Sequence, residues 1–280
     1  MKSVVVTGAS TGIGWGCVKV LITKGFRVFG SVRKLADAER LSTELGPNFV
    51  PLIFDVTDQA AVNQAAKKVE AALAGELLYG LVNNAGIAVQ GPLLYLPIEQ
   101  FKRQIDVNLT GQLIVTQAFA PFLGTNRSAK GPRGRIVMIS SVGGRNAFPF
   151  IGPYNTSKFG LEGFSESLRR ELMLFGIDVI IVAPGAVATP IWDKADAVDL
   201  SQYANTPYAP MIAKVKQYMI SLGRKGLPPE QLGVAVAHAL TTSHPKTRYV
   251  VAPDPIQNFM FNHLPKRVVD RIIARQVGLV

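Results

Sequence analysis

Tyr154 and Lys158 stand four residues apart in the stretch Tyr-Asn-Thr-Ser-Lys. On a helix this spacing puts both side chains on one face, within reach of the same small volume. A phenol ionises near a pH of about 10 and is a poor acid or base at neutral pH. A neighbouring ammonium stabilises the phenolate and moves that pKa toward the working range. The pair can therefore serve as a tuned proton donor and acceptor. The same spacing also arises on ordinary solvated helix faces, so its meaning depends on the rest of the chain.

A second cluster lies near the N-terminus. Gly8-Ala9-Ser10-Thr11-Gly12-Ile13-Gly14 follows a β-branched run at 3–7 and opens an apolar helical pattern through Leu21 and Ile22. A strand, a glycine turn and a helix in that order make a phosphate site. Glycines let the backbone approach a pyrophosphate, and the helix N-terminus offers free N–H groups. The spacing is G-x-x-x-G-x-G, not the G-x-G-x-x-G of the general dinucleotide fingerprint. The next strand, 27–32, ends in Ser31-Val32-Arg33-Lys34, where an NAD site usually has an acid holding the ribose 2′-OH. A carboxylate there would repel a 2′-phosphate and an arginine would pair with it, so this end reads for NADP. The alternative is that Arg33 and Lys34 only solvate a loop.

The elements that must position these clusters follow in alternation. Strands are expected at 49–54, ending at Asp55-Val56, at 77–82, followed by Asn83-Asn84-Ala85-Gly86, and at 135–140, delivering Ser140 and Ser141. Further strands are expected at 178–182, ending in Pro184-Gly185, and at 247–251. Helices are expected at 59–74, capped by Thr57 or Asp58, at about 98–123, from Tyr154 to about Phe175, and at 228–242. Asn108 falls in mid-helix, where asparagine is mildly unfavourable, which suggests a special role or a local kink. The basic stretch 124–135, with Arg127, Lys130, Arg133 and Arg135, reads as a solvated loop. The whole predicts an α/β fold: one doubly wound, Rossmann-type domain with a parallel seven-stranded sheet flanked by helices.

With 280 residues, 48% of them hydrophobic, the chain can bury a large core. No apolar run reaches the roughly 18 residues of a membrane span. The opening Met1-Lys2 runs straight into a strand pattern, which argues against a signal peptide and for a cytoplasmic protein. Cys17 is the single cysteine and sits in an apolar helix, as a core residue would. His238, His244 and His263 show no paired spacing, so no metal site is expected. The formal charge of +11 is spread along the chain without a nucleic-acid motif. It suits a basic surface, a polyanionic cofactor or an acidic membrane, and nucleic acid is not expected.

Taken together, these motifs resemble the short-chain dehydrogenases/reductases in their compact form. They are Thr7-Gly8-x-x-x-Gly12-Ile13-Gly14, Asn83-Asn84-Ala85-Gly86, Asn108, Ser141, Tyr154-x-x-x-Lys158 and Pro184-Gly185 with Thr189. The resemblance is close over about 3–190 and weaker to about 252. It implies that Tyr154 transfers a proton to or from the substrate oxygen and that Ser141, with Ser140 the runner-up, hydrogen-bonds that oxygen. It implies that Lys158 lowers the Tyr154 pKa and holds the nicotinamide ribose, and that Asn108 orients a water leading from Lys158 to solvent. Gly8, Gly12, Ile13 and Gly14 would surround the pyrophosphate. Asp55 and Val56 would border the adenine, and Asn83, Ala85 and Gly86 its ribose. Pro184, Val187 and Thr189 would border the nicotinamide, and Ser10 and Arg33 would grip a 2′-phosphate. A homodimer or homotetramer through the helices at 98–123 and 154–175 is also implied.

The end of the second strand and the segment His244-Pro245-Lys246-Thr247-Arg248-Tyr249 resemble 17β-hydroxysteroid and retinol dehydrogenase-like members. The implied substrate is a hydrophobic alcohol, ketone or aldehyde of steroid, retinoid or fatty-chain kind. Residues 1–252 would form the catalytic domain, with 186–226 a substrate lid. Ile191, Trp192, Tyr208, Met211 and Met219 would be pocket walls or ordinary core. The tail 253–280 places Ile256, Phe259, Met260, Phe261 and Leu264 ahead of Lys266, Arg267, Arg271 and Arg275. It can cover the pocket, pack on a second subunit or rest on a membrane surface. The competing readings are a catalytically idle nucleotide sensor or scaffold on the same fold, and an epimerase or dehydratase of the extended branch.

Overall fold

The computed structural model describes residues 1–126 and 131–279. Among these, seven strands form one parallel sheet in the order β3-β2-β1-β4-β5-β6-β7. They are β1 (Ser3–Val6), β2 (Arg27–Val32), β3 (Phe49–Ile53), β4 (Gly80–Asn83), β5 (Arg135–Ile139), β6 (Asp178–Pro184) and β7 (Arg248–Val251). Strand side chains alternate between faces, and both faces are buried. Val4, Val6, Val28, Val137 and Val182 point to one side, onto α1 (Gly12–Thr23), α2 (Leu35–Leu45) and α9 (Pro229–Thr241). Val5, Phe29, Leu81, Ile136 and Val179 point to the other, onto α3 (Gln59–Leu73), α5 (Gly111–Ala120) and α6 (Gly152–Leu172). Cys17 is fully buried in the first layer, and its thiol pKa is pushed up to about 12 by that burial.

Several local expectations are refined. Asp58, not Thr57, caps α3, its Oδ1 accepting the Ala61 N–H at 3.0 Å. The helix expected at 98–123 is α4 (Ile98–Ile105) running into α5, with wider π-type turns at Asp106–Thr110 and Pro121–Thr125. Asn108 lies in the first of these turns, a kink of the sort that extra residues force into a helix. Arg135 is not a solvated loop residue. It opens β5, pairs with Asp178 at 3.2 Å and donates to the carbonyls of Ala239, Leu240 and Thr242 at the end of α9. Arg127 and Lys130 lie outside the described residues.

The stretch 186–226 holds α7 (Ile191–Asp196), a short turn at Ser201–Tyr203 and α8 (Ala209–Arg224). Trp192 seats on Gly223, where a Cβ would come within 2.0 Å of the indole. Beyond β7, α10 (Pro255–His263) and α11 (Lys266–Val277) fold back over the carboxyl edge of the sheet. Asn146 ties both down, donating to Asn262 Oδ1 at 2.6 Å and accepting from Lys266 Nζ at 3.2 Å.

Candidate active site

The strand order reverses between β1 and β4, which leaves a crevice at the carboxyl ends of the strands. There the chain forms one cleft of about 570 Å³, lined from Gly8 and Arg33 at one end to Phe261 and Gln276 at the other. The turn from β1 into α1 builds the first end. Gly12 has φ +61°, a left-handed conformation that favours glycine, and a Cβ on Gly14 would lie 2.1 Å from the Gly8 carbonyl oxygen. Thr11, at the N-cap of α1, makes no side-chain cap bond, so the first-turn N–H groups gain no partner from it. A side-chain-free cradle at a helix N-terminus, with Ser10, Thr11, Gly12 and Ile13 lining the cleft, fits a pyrophosphate.

Arg33 sits exposed at the cleft mouth, its Nη1 3.7 Å from Asp55 Oδ2. Partial burial pushes the Asp55 carboxyl up, but hydrogen bonds from the Thr57 N–H and hydroxyl, with Arg33 beside it, hold it below its usual value. Arg40 donates to the Ser10 carbonyl at 2.7 Å and so supports the turn from behind its backbone. Arg40 is also ion-paired with Asp37 at 3.3 Å and Glu44 at 3.2 Å and does not line the cleft, so Arg33 is the guanidinium at its mouth. Arg40, seven residues beyond Arg33, braces the backbone of the glycine turn and gives no motif signal in the sequence.

In the middle of the cleft, α6 carries Tyr154 and Lys158 on one face, and the loop after β5 brings Ser141 to them. Lys158 Nζ lies 5.7 Å from the Tyr154 ring centroid and donates to the Ile139 carbonyl at 2.7 Å. Ser141 hydrogen-bonds the Tyr154 phenol, and its Oγ also accepts the Gly143 N–H at 3.0 Å. Ser140 also lines the cleft, but its Oγ is buried without a hydrogen-bond partner among the described residues.

The Tyr154 pKa corrects a sequence expectation. Burial deep in the cleft raises it, and the Ser141 hydrogen bond offsets this only in part. The expected lowering by Lys158 is not among the causes that set it; that ammonium donates to the Ile139 carbonyl instead. Burial also depresses Lys158, to about 8, against the pull of Glu162 in the other direction. Glu162 lies one further turn along α6, four residues after Lys158. Arg248 on β7 grips its carboxylate at 2.9 and 3.2 Å, and Arg145 approaches at 3.4 Å. The Glu162–Arg248 pair is sequestered, each side chain 11% exposed, and Arg248 also reaches the Ser141 carbonyl at 3.4 Å. This acid–base lattice ties the end of β5 to α6 and β7.

Asn108 is buried and fully engaged. Its Oδ1 accepts the Ile87 N–H at 2.8 Å, and its Nδ2 donates to the Ile87 carbonyl at 3.0 Å and to Ser157 Oγ at 3.1 Å. The π-type turn thus aims its amide at the strand-four loop beside the cleft. Asn83 does not reach the cleft. It is a core residue whose Nδ2 donates to Thr116 Oγ1 at 2.8 Å, because alternation along β4 turns it inward. Asn84 takes the cleft position instead and donates to the Thr7 and Gly8 carbonyls at 2.8 and 3.2 Å, bracing the glycine turn. Ala85, Gly86, Asp55, Val56, Pro184, Val187 and Thr189 all line the cleft as expected from the motifs.

Ile191, Trp192 and Met219 line the other end, with Phe148, Phe150 and Ile151. Tyr208 is not among the lining residues; its ring packs edge-on against Tyr95 and Phe150. Met211 is not among them either. Gln257, Asn258, Phe261, Ile273 and Gln276 reach the cleft from α10 and α11, so the tail supplies part of its wall.

A doubly wound parallel sheet with a glycine cradle and a Ser-Tyr-Lys cluster at the carboxyl ends of its strands defines a class of oxidoreductase. The chain belongs to the short chain dehydrogenase family, whose model matches residues 2–199. Among its relatives, the NADPH-dependent 3-dehydrocapnine reductase of Ornithobacterium rhinotracheale is 36% identical over 278 residues, covering 99% of this chain and 98% of the reductase. Retinol dehydrogenase 5 of Homo sapiens is 35% identical over 288 residues, covering 97% of this chain and 87% of that protein. A solved short chain dehydrogenase/reductase from Burkholderia phymatum, in complex with NAD, matches with a TM-score of 0.80 at 20% identity, over 97% of this chain and 95% of that one. At that identity the likeness shows the fold alone.

Proposed function

We propose that this protein moves a hydride between NADP(H) and a hydrophobic ketone or aldehyde and the corresponding alcohol. The observation that carries the reading is the convergence of Ser141, Tyr154 and Lys158 midway along one cleft, with a phosphate cradle at one end and an aromatic-rich wall at the other. A bound nicotinamide would supply the hydride at the cleft centre. Gly8, Ser10, Gly12, Ile13 and Gly14 would hold its dinucleotide, with Asp55 and Val56 beside the adenine and Pro184, Val187 and Thr189 beside the nicotinamide. The protein's own part is the proton and the charge. Tyr154 donates its phenolic proton to the substrate oxygen as negative charge develops there, and Ser141 donates a hydrogen bond to the same oxygen. Lys158 then stabilises the phenolate that Tyr154 becomes, and Asn108 fixes the loop that faces the pair. In the alcohol-oxidising direction each step runs in reverse.

Arg33 and Ser10, both lining the phosphate end of the cleft, support the choice of NADP, as does the NADPH dependence in the name of the O. rhinotracheale relative. Arg33→Ala is expected to raise the KM for NADPH by about 10- to 100-fold, the worth of one charge-assisted bond to phosphate, with NADH almost unaffected. Steady-state kinetics with both cofactors decide it; equal effects on the two would remove Arg33 from the phosphate site.

Phe148, Phe150, Trp192 and Phe261 on the cleft wall support a hydrophobic substrate. Residues 186–226 would act as its lid and residues 253–280 as a fixed side wall. Leu113 and Phe159, exposed on α5 and α6, support a homo-oligomer through these helices. Light scattering tests it, and a monomer at micromolar concentration counts against it. The enzyme assay is cofactor turnover followed by NADPH absorbance across steroids, retinal and long-chain carbonyls. Turnover on one class supports the reading; NADPH binding without turnover on any class would point to the idle sensor.

A further inference from the structure

The outward faces of the last two helices have no use in the site just described. On α10, Ile256, Phe259, Met260 and His263 follow the spacing of one helix face. Ile256 is 72% exposed, Phe259 62% and Met260 51%, while Asn258, Phe261 and Asn262 on the opposite side are partly buried against the body. On α11, Arg267, Arg271 and Arg275 form an exposed row at intervals of four, next to the exposed pair Val268 and Ile272. Val268, Arg271, Ile272, Arg275 and Gln276 together line a shallow surface groove. From 255 to the end of the chain the only acidic residue is Asp270, against Lys266, Arg267, Arg271 and Arg275.

We propose that the outward faces of α10 and α11 dock on an anionic lipid surface. Bulky apolar side chains left in water on a helix held at its other face suit the headgroup–acyl boundary of a bilayer. Arginines beside Val268 and Ile272 can lay their stems along apolar surface and keep their guanidinium groups among lipid phosphates. The excess of positive charge selects an anionic partner over a neutral one. No helix among the described residues is long and apolar enough to cross a membrane, and the contact proposed is one of helix faces with the surface. Because the inner faces of the same helices line the cleft, docking would set its mouth near the acyl layer. That last consequence rests on the proposed hydrophobic substrate; the docking itself does not.

Flotation of the full-length protein with vesicles of phosphatidylcholine alone, and with one-third phosphatidylglycerol, tests the proposal without any assay of activity. The protein is expected to float with the anionic vesicles at least tenfold more than with the neutral ones. The double variant R271E/R275E should lose binding by more than about 25-fold, at about fivefold per arginine near such a surface. The double variant F259D/M260D, altered only at exposed positions, should lose it while keeping the wild-type melting temperature. Failure to float with either vesicle, or unchanged flotation of both variants, overturns the proposal. So does a wild-type oligomer that F259D/M260D reduces to monomers without affecting flotation, since the face would then belong to a second copy of the chain.

Discussion

Tyr154→Phe is expected to lower turnover by at least about a thousandfold while NADPH binding stays within a few-fold of wild type. The substitution removes one oxygen and keeps the ring, so the packing of α6 and the cleft wall is conserved. Two contributions go with that oxygen. One is the proton delivered to the substrate oxygen, worth about 10²- to 10⁴-fold as general acid catalysis. The other is a hydrogen-bond donor aimed at developing negative charge in a partly buried site, where such donors act strongly. The cofactor cradle lies in a different stretch of chain, from Gly8 to Gly14, and its shape depends on backbone contacts with Asn84. Measurement of kcat alongside NADPH affinity by equilibrium dialysis separates the two roles. A variant that keeps more than a tenth of wild-type kcat would show that protons reach the substrate by another route.

Lys158→Met is expected to cost at least about a hundredfold in kcat and yet to stabilise the fold at neutral pH. The Lys158 pKa is depressed from its ordinary 10.5 to about 8 by burial. Below pH 8 the lysine is charged in both folded and unfolded chains, and the folded state bears the whole desolvation cost, about 3 kcal/mol. Between pH 8 and 10.5 the folded state releases its proton while the unfolded state keeps it. Stability of the wild type therefore rises with pH across that window, and the advantage of the methionine variant shrinks by the same amount. Leaving the Ile139 carbonyl without its 2.7 Å partner takes back about 1–3 kcal/mol at every pH, so the slope is the firmer readout. Denaturant unfolding of both proteins at pH 7 and 10 measures it; parallel stabilities would mean that Lys158 is neutral or well solvated. Glu162 supplies the control in activity. Tyr154 and Glu162 face this ammonium, and Arg145 and Arg248 are ion-paired with Glu162 in turn. Glu162→Gln removes the one negative charge among them and takes the carboxylate away from both arginines. The Lys158 pKa should fall further, and the alkaline limb of the kcat profile should move to lower pH. An unmoved limb would mean that Glu162 serves only to hold Arg248.

The sequence by itself determined the order and type of the elements and most of the chemistry. β-branched runs buried on both faces, alternating with amphipathic helices, leave a parallel sheet as the consistent arrangement. Local rules were also enough for the glycine turn, since φ at Gly12 and the contact of Gly14 with Gly8 both arise within seven residues. The i, i+4 pair Tyr154 and Lys158 was legible for the same reason. Where side-chain direction depends on packing, sequence was insufficient. Asn83 and Asn84 are equivalent as letters, and only the facing of β4 sends the first into the core and the second to the cleft. Ser140 and Ser141 differ in the same way, the first with its Oγ buried and unpartnered and the second accepting the Gly143 N–H.

What only the tertiary structure decided lies at long range. Arg40 joins Ser10 across 30 residues, Glu162 meets Arg248 across 86, and the helices after residue 254 return to wall the cleft. The pKa of Tyr154 belongs here as well. Spacing places an ammonium near a phenol, but the outcome depends on how deeply both are buried and on which acceptor the ammonium finds first. Burial and acceptor are properties of the packed molecule, set by residues far apart in the chain, and no local pattern encodes them.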